Sequence, residues 1–214
     1  MIRRRSFGVL MIILWGVFLG SLFIAISSVN KKIYYIAAAN SKMQDTIREE
    51  WDIAINDALM HAPQDKTRWQ FRGDAQTYAQ MQMDNLTHAL NIIPVELSAI
   101  NWTTFGDGAA AKTRCNITAR RPTILMDEIL FLRNYREYMR MVISHEVAHA
   151  AVCVKYGEIR KDSHGNKWTE MMHILGFTHA HDEIKHHMDY SPVSSFYQKL
   201  RDQGISVEII VDNL

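Results

Sequence analysis

The chain has 214 residues, enough for one domain and a small appendage at about 150 residues per domain. Apolar residues make up 48% and charged residues 22%, with 10 Gly and 4 Pro, which excludes collagen, low-complexity and intrinsically disordered chains. The two cysteines exclude a disulfide scaffold and a four-cysteine zinc site, and the net charge of +1 gives no overall field that would attract nucleic acid.

The N-terminal part of the sequence predicts a membrane segment. Residues 7–26 contain no charge, and as a helix they would span about 30 Å, the thickness of the hydrocarbon core of a bilayer. Three arginines at residues 3–5 precede this run, while Lys31 and Lys32 follow it, which favours a cytoplasmic N-terminus. We therefore expect a single-pass membrane protein; a cleaved secretory signal and a buried core helix are the alternatives.

Beyond this segment, hydrophobic periodicity, capping residues and turn residues predict short elements of both kinds. The tail after Pro192 carries no interpretable motif. In chain order, we expect helices over residues 41–60 and 74–90, strands over 95–103, 112–118 and 122–126, a helical turn over 127–132, helices over 134–156 and 167–175, and a last strand over 205–211.

The chemistry of the chain is concentrated in the HExxH motif at residues 145–149. On a helix, positions i and i+4 share a face, so His145 and His149 can reach one metal ion. Glu146 projects toward the same side and can deprotonate a water on that metal. The flanking residues are apolar, so the helix is predicted to be buried, and buried polar groups at this density need partners that a metal supplies.

Two histidines leave a third ligand to be found. The residue six positions after His149 is Lys155, which excludes the histidine spacing of a metzincin. Glu170 on the next predicted helix and His164 in the loop before it are both candidates, and another histidine is a third possibility. Cys153 lies about 12 Å along the helix from His145, too far for its short side chain to bind the same ion.

These residues resemble a known family. The segment HEVAHAAVCVKYG, followed by HGNKWTEMMHILG, is similar to the SprT-like metalloproteases, the family that includes Spartan. The resemblance covers residues 139–177 and extends from about residue 95. It implies that His145, His149 and His164 bind zinc and that Glu146 is the general base.

The motif and the resemblance together lead us to expect an α+β fold. Its zincin-like metalloprotease domain packs the HExxH helix on a small sheet, and one transmembrane helix precedes the domain. The expected organisation is a membrane anchor over residues 1–29, the helical N-terminal part of the catalytic domain over 30–94, the SprT-like core over 95–190 and a C-terminal tail over 191–214.

Three functions are compatible with these observations. The first is a membrane-anchored, Zn²⁺-dependent metallopeptidase that acts on a protein or peptide substrate and contacts the membrane through residues 7–26. The second is a SprT/Spartan-type protease of DNA-bound proteins; the net charge does not support a nucleic-acid partner, but the locally basic stretch over residues 112–140 would be its DNA face. The third is a membrane-tethered zinc-binding module without catalysis.

The two cysteines carry a separate expectation. An exported domain would place Cys115 and Cys153 in an oxidising space, where a pair can form a disulfide. Cys115 lies in a predicted strand and Cys153 on the HExxH helix, and the strand region is expected to pack near that helix. A disulfide and two unrelated buried thiols are both open at this point.

Overall fold

The computed structural model of the chain describes residues 41–105, 108–116, 118–157, 164–177 and 188–205. The chain divides between Thr46 and Ile47 into two units. Of the first unit, residues 41–46 are described, and they are helical. All that follows concerns the second unit.

The second unit is a mixed α and β fold, as predicted from the sequence. The short strands occupy its middle, and helices precede and follow them. In chain order its elements are helix α1 (residues 47–61), helix α2 (Arg68–Ala89), strands β1 (Asn101–Thr103), β2 (Ala111–Asn116) and β3 (Arg121–Asp127), helices α3 (Glu128–Arg133) and α4 (Tyr135–Glu137), a π-helical turn (Tyr138–Val142), and helices α5 (Ile143–Tyr156), α6 (Asn166–Ile174) and α7 (Ser191–Asp202).

The strands form a three-stranded sheet in the order β1-β3-β2. Strand β3 lies in the centre, parallel to β1 and antiparallel to β2, with Thr113 opposite Ile124 and Cys115 opposite Pro122. Alternate residues of β3 are buried, because successive side chains of a strand point to opposite faces. Within the described sheet, β2 is an edge strand, and helix α5 packs against both β2 and β3.

Helix α5 is the most central element of the second unit. It packs against α2, α6, β2 and β3. Its small alanines permit close approach of these neighbours, and Gly157, at φ +73°, ends it by donating its N–H to the Cys153 carbonyl oxygen at 2.8 Å. Apolar residues cover the helix on several sides, namely Ile143, Val147, Ala148, Ala150, Ala151 and Val152.

A disulfide joins Cys115 of β2 to Cys153 of α5, with the two Cα atoms 5.7 Å apart. The sequence left open either a disulfide or two separate thiols, and the structure contains the disulfide. The bond crosslinks the edge strand to the helix that carries the HExxH motif. The register of β2 along α5 is therefore fixed covalently.

A buried ion cluster holds α2 to the beginning of α3. The Glu128 carboxylate has no exposed surface and accepts paired hydrogen bonds from both Arg68 and Arg72, at 2.6–2.8 Å. Burial by itself would raise the pKa of Glu128, but the hydrogen bonds from the two guanidinium groups outweigh it and hold the pKa below its ordinary value. The charge of Glu128 is thus retained inside the protein by two partners from one helix.

The neighbouring Asp127 begins helix α3, as the sequence predicts. Its Oδ1 accepts the N–H of Leu130, and its Oδ2 accepts the hydroxyl of Thr104 at 2.6 Å and the N–H of Phe105 at 3.1 Å. The Tyr197 hydroxyl lies 3.1 Å from the Thr104 hydroxyl. Helix α7, in a tail for which the sequence indicated no role, is therefore bonded to Thr104, which itself donates to the Asp127 carboxylate at the end of the central strand.

Among the element boundaries that differ from the predictions, two have identifiable reasons. Helix α2 begins at Arg68 rather than at Asp74, because Thr67 and Gln70 form a capping box. Residues 95–100 do not join the sheet; instead, the side chain of Gln80 bonds both the Val95 carbonyl oxygen and the Leu97 N–H. Side chains on α2 thus form the hydrogen bonds that these backbone groups would otherwise form with a neighbouring strand. The predicted strand over residues 205–211 lies outside the described residues from residue 206 onward.

The predicted membrane location needs correction. In the described ranges, no helix is both long and apolar enough to cross a bilayer. Helix α2 has sufficient length, at 22 residues, but it carries Arg68, Arg72 and Asp74. The prediction of a single-pass membrane protein, made from residues 7–26, is therefore wrong for the part of the chain that the structure describes, and residues 7–26 themselves lie outside it.

The ion cluster predicts the effect of replacing Glu128. Glu128→Gln keeps the shape but leaves two guanidinium groups without a carboxylate, and breaking a buried ion pair in this way costs 3–5 kcal/mol. We expect a loss of about 3 kcal/mol, at the low end of that range, because the side chains of Arg68 and Arg72 keep 29% and 20% of their surface exposed. Urea denaturation measures the free energy of unfolding.

Glu49→Gln is the matched control, because Glu49 is exposed on α1 and such a change usually costs less than about 0.5 kcal/mol. Equal stability of the two variants would show that the Glu128 cluster does not hold α2 in place.

Candidate metal centre

Three histidines converge at the N-terminal half of helix α5. His145 and His149 lie one turn apart on the helix, and His164 lies in the turn that precedes α6. The Nε2 atom of His145 is 3.3 Å from that of His149 and 3.0 Å from that of His164. The three candidate ligand atoms all lie within 4.8 Å of one another, so the group could hold one metal ion.

The spacing of these nitrogens fits a tetrahedral metal. Nitrogens bound at about 2.0–2.1 Å to one tetrahedral ion are about 3.4 Å apart. Two of the three separations, 3.0 and 3.3 Å, are close to that value, and all three ligand atoms lie within 4.8 Å of one another. Burial, with a smaller contribution from His164, lowers the pKa of His149 to about 3, so at neutral pH its ring is in the uncharged form that binds metals. The donor set and its geometry therefore suit a metal ion.

Trp168 on α6 supports all three rings. Its indole lies against His145, His149 and His164, with ring centroids 4.6–5.7 Å away, and it stacks on His149. Its Nε1 donates to the main-chain oxygen of His145 at 3.3 Å. The indole is 5% exposed and covers the side of the cluster that faces α6.

Glu146 lies next to the cluster and is almost fully buried. Burial raises the pKa of its carboxyl to about 7, and a hydrogen bond from the Thr113 hydroxyl acts in the opposite direction. Thr113, on β2, donates to Glu146 Oε2 at 2.7 Å and also lies 3.0 Å from the Glu146 main-chain oxygen. The carboxyl group is therefore held by a residue 33 positions earlier in the chain, on the edge strand.

The residues considered as a third ligand lie in different surroundings. His164 lies with His145 and His149, whereas the Glu170 carboxylate lies near Lys155 Nζ and the Tyr156 hydroxyl, at 3.5 and 3.3 Å. Cys153 is in the disulfide. Four other histidines, His179, His181, His186 and His187, lie outside the described residues.

Comparison of the chain with models of known protein families identifies its family. A model of the SprT-like family matches residues 78–188, just over half of the chain, and the match includes every residue of the candidate centre. The chain belongs to the SprT-like family. Comparisons with curated proteins and with solved structures found no match. The family resemblance seen in the HExxH and HGxxW segments is thus confirmed.

The sequence did not indicate Thr113 as part of the site. It is an ordinary threonine in a predicted strand, far from the motif in the chain, and only the packing of β2 on α5 brings the two together. Trp168 was visible within the HGxxW segment, but its contact with all three histidines was not. In both cases the information lies in tertiary packing rather than in any local pattern.

The cluster predicts which substitution removes the metal. In the full chain, His164→Ala should lose the bound metal, because two imidazoles remain where three converge. Glu170→Ala should keep it, because that carboxylate lies with Lys155 and Tyr156. Metal per chain is measured by plasma mass spectrometry after purification in the presence of Zn²⁺. The reverse result would make Glu170 the third ligand.

The lowered pKa of His149 predicts a pH dependence of stability in the metal-free protein. The pKa is about 3 in the folded state and about 6.5 in an unfolded chain, so between these values the unfolded state binds the additional proton. The free energy of unfolding should fall as the pH decreases from 6.5 toward 3, by up to about 1.4 kcal/mol per pH unit. His149→Gln should lack this component.

Urea denaturation of both metal-free proteins between pH 7 and pH 4 tests this prediction. The raised pKa of Glu146 acts with the opposite sign between about 4.5 and 7, but both proteins contain Glu146, so the comparison isolates His149. Parallel pH profiles for the wild type and His149→Gln would contradict the prediction.

Proposed function

We propose that this protein is a zinc-dependent metallopeptidase whose metal ligands are His145, His149 and His164. The observation that carries the proposal is the convergence of three imidazoles on and beside the helix that carries a buried carboxyl group, Glu146. Membership of the SprT-like family supports it, because that family is generally associated with metallopeptidase activity. The proposed fold of the catalytic part, residues 95–190, is zincin-like.

Zinc is the metal that the donor set favours. Imidazole ligands suit several transition metals, but a tetrahedral site with three protein ligands and one open position is the pattern of catalytic zinc. Zinc held there would polarise a peptide carbonyl group and lower the pKa of a water molecule. The substrate would accordingly be a protein or a peptide.

Glu146 would act as the general base and then as the general acid. Its carboxylate takes a proton from the attacking water as the water oxygen bonds to the peptide carbonyl carbon. It then gives that proton to the nitrogen of the departing amine as the C–N bond breaks. In the metal-free protein, burial raises the pKa of Glu146 to about 7, and a group with a pKa close to the working pH accepts and releases a proton readily.

The disulfide bears on the second candidate function, a protease of DNA-bound proteins. Disulfides persist in oxidising compartments and are rare in the cytosol and nucleus, where DNA-bound substrates occur. The Cys115–Cys153 bond therefore favours peptidase activity without a DNA partner. The third candidate, a zinc-binding module without catalysis, would need an incomplete site, and the three histidines with Glu146 argue against it.

The proposal predicts that Glu146→Gln keeps zinc but abolishes cleavage, because an amide cannot accept the proton from water. The zinc-loaded full chain is incubated with a proteome-derived peptide library, and new N-termini are identified by mass spectrometry. We expect the wild type to cleave and Glu146→Gln to fall by at least about a hundredfold, the lower bound for loss of a general base. Glu170→Gln is the control carboxylate and should cleave normally.

Two results would contradict the proposal. One is cleavage by Glu146→Gln near the wild-type rate, and the other is no cleavage of the library by the zinc-loaded wild type. Added single-stranded DNA tests the second candidate: a stimulation that declines with salt would favour the DNA-linked role.

A further inference from the structure

The environment of Glu146 contains a hydrogen bond that the proposed reaction does not by itself require. A carboxylate has two oxygens, and Oε2 of Glu146 accepts the Thr113 hydroxyl at 2.7 Å. This bond fixes the rotation of the carboxyl group about its last torsion, which is otherwise broad. The other oxygen, Oε1, is then the one left to exchange protons with a reacting water.

Thr113 contacts Glu146 at two points. A threonine hydroxyl has one hydrogen to donate and two lone pairs with which to accept. The hydroxyl lies 2.7 Å from Glu146 Oε2 and 3.0 Å from the Glu146 main-chain oxygen. One side chain of the edge strand therefore contacts both the carboxyl group and the backbone of the same residue.

The contact between Thr113 and Glu146 is fixed by the covalent structure. Thr113 and Cys115 are two residues apart on β2 and share one face of the strand. Glu146 and Cys153 are seven residues apart on α5, two turns of helix, and also share a face. The disulfide joins the two faces, so β2 cannot slide along α5 and carry the hydroxyl away from the carboxyl group.

The residue type itself supports a role for the hydroxyl. A half-buried strand position that faces an alanine-rich and valine-rich helix is filled as well by valine, which has the same shape and a higher preference for strands. Threonine at this position brings one additional group, the hydroxyl, and that group is bonded to Glu146.

We propose that Thr113 is a positioning residue of the site: its hydroxyl orients the Glu146 carboxylate toward the reacting water, and the Cys115–Cys153 disulfide holds the edge strand that presents it. The proposal rests on the proposed peptidase function for its consequence in catalysis. The geometry on which it stands does not depend on that function.

The test uses the zinc-loaded full chain and three substitutions. Thr113→Val removes the hydroxyl and keeps the shape, Thr113→Ser restores the hydroxyl, and Thr123→Val makes the first change at a half-buried position of the neighbouring strand β3. Circular dichroism and zinc content establish that each variant is folded and loaded. The kinetics use one peptide that the wild type cleaves.

We expect Thr113→Val to lower kcat by about 10-fold to 100-fold, as losses of supporting hydrogen bonds around metal sites do, with KM changed by less than about twofold. Thr113→Ser should recover kcat to within about threefold of the wild type, and Thr123→Val should match the wild type. A general destabilisation would not be rescued by serine in this way. Wild-type kcat in Thr113→Val would overturn the proposal.

If the wild type cleaves no peptide, the peptidase proposal is rejected. A second measurement then still tests the role of Thr113. Acetohydroxamate binds metals through two oxygens and can donate a hydrogen bond to a neighbouring carboxylate, so its affinity reports the orientation of Glu146 without turnover. Calorimetry should give about tenfold weaker binding to Thr113→Val and normal binding to Thr113→Ser. In the Glu146→Gln background, Thr113→Val should change nothing further.

Each other outcome of the binding measurement counts against the proposal. Equal affinity of the wild type and Thr113→Val for acetohydroxamate would overturn the positioning role. Equal weakening by Thr113→Val with and without Glu146 would show that Thr113 does not act through that carboxyl group. Failure of the zinc-loaded wild type to bind acetohydroxamate would overturn the proposal together with the metal site.

Discussion

Helix α5 must bury polar side chains in a position where most of its surface is covered by other elements. It packs against α2, α6, β2 and β3, and two polar residues of its N-terminal half, Glu146 and His149, are only 5% and 7% exposed. A polar group buried without a partner costs a few kcal/mol, so each of these side chains needs a bonding partner from a neighbouring element. The edge strand supplies Thr113 for Glu146, and the turn before α6 brings His164 to the histidines. The edge strand and the turn before α6 thus lie where they provide partners for the polar side chains that α5 buries.

The elements around α5 are bonded to one another at one point of the chain, where the central strand β3 ends and α3 begins. Asp127 caps α3 and also bonds the segment after β1 through Thr104, while Glu128 bonds two arginines of α2. Helix α7 joins the same point through Tyr197. Two adjacent acidic residues thus connect a strand, a loop and three helices, and hydrogen bonds to these elements satisfy both buried carboxyl groups.

The parts of the fold that follow from local patterns could be predicted from the sequence. His145 and His149 share a helix face because of their spacing, Asp127 caps the helix that follows it, and Gly157 ends α5 in a left-handed conformation. The family motif also placed His164 with them. Each of these depends on residues within about one turn of helix or within one short motif, so no knowledge of the tertiary structure is needed.

The parts that were missed depend on contacts between distant residues. Gln76 and Gln80 bond the backbone of residues 95–100 and keep it out of the sheet, and a hydrophobic pattern cannot show this. The Thr113–Glu146 bond and the Glu128 cluster join residues 33 and about 60 positions apart. The membrane prediction was made from the length of residues 7–26, their lack of charge and the flanking basic residues, and no helix of the described residues is both long and apolar enough to cross a membrane.

The three candidate ligands are positioned by different elements of the fold. This difference determines which contacts a bound metal would stabilise. His145 and His149 are part of one buried helix, so their spacing is set before any ion arrives. His164 is held through its ring contacts with those two histidines and with Trp168 of α6. An ion bound by all three would join the turn before α6 to α5, and its binding free energy would stabilise the packing of the two helices. The disulfide likewise joins β2 to α5, and it does so without a metal. Glu146, the proposed base, is thus bonded to a strand that the disulfide holds on α5, whereas His164 is the candidate ligand whose placement a metal would strengthen.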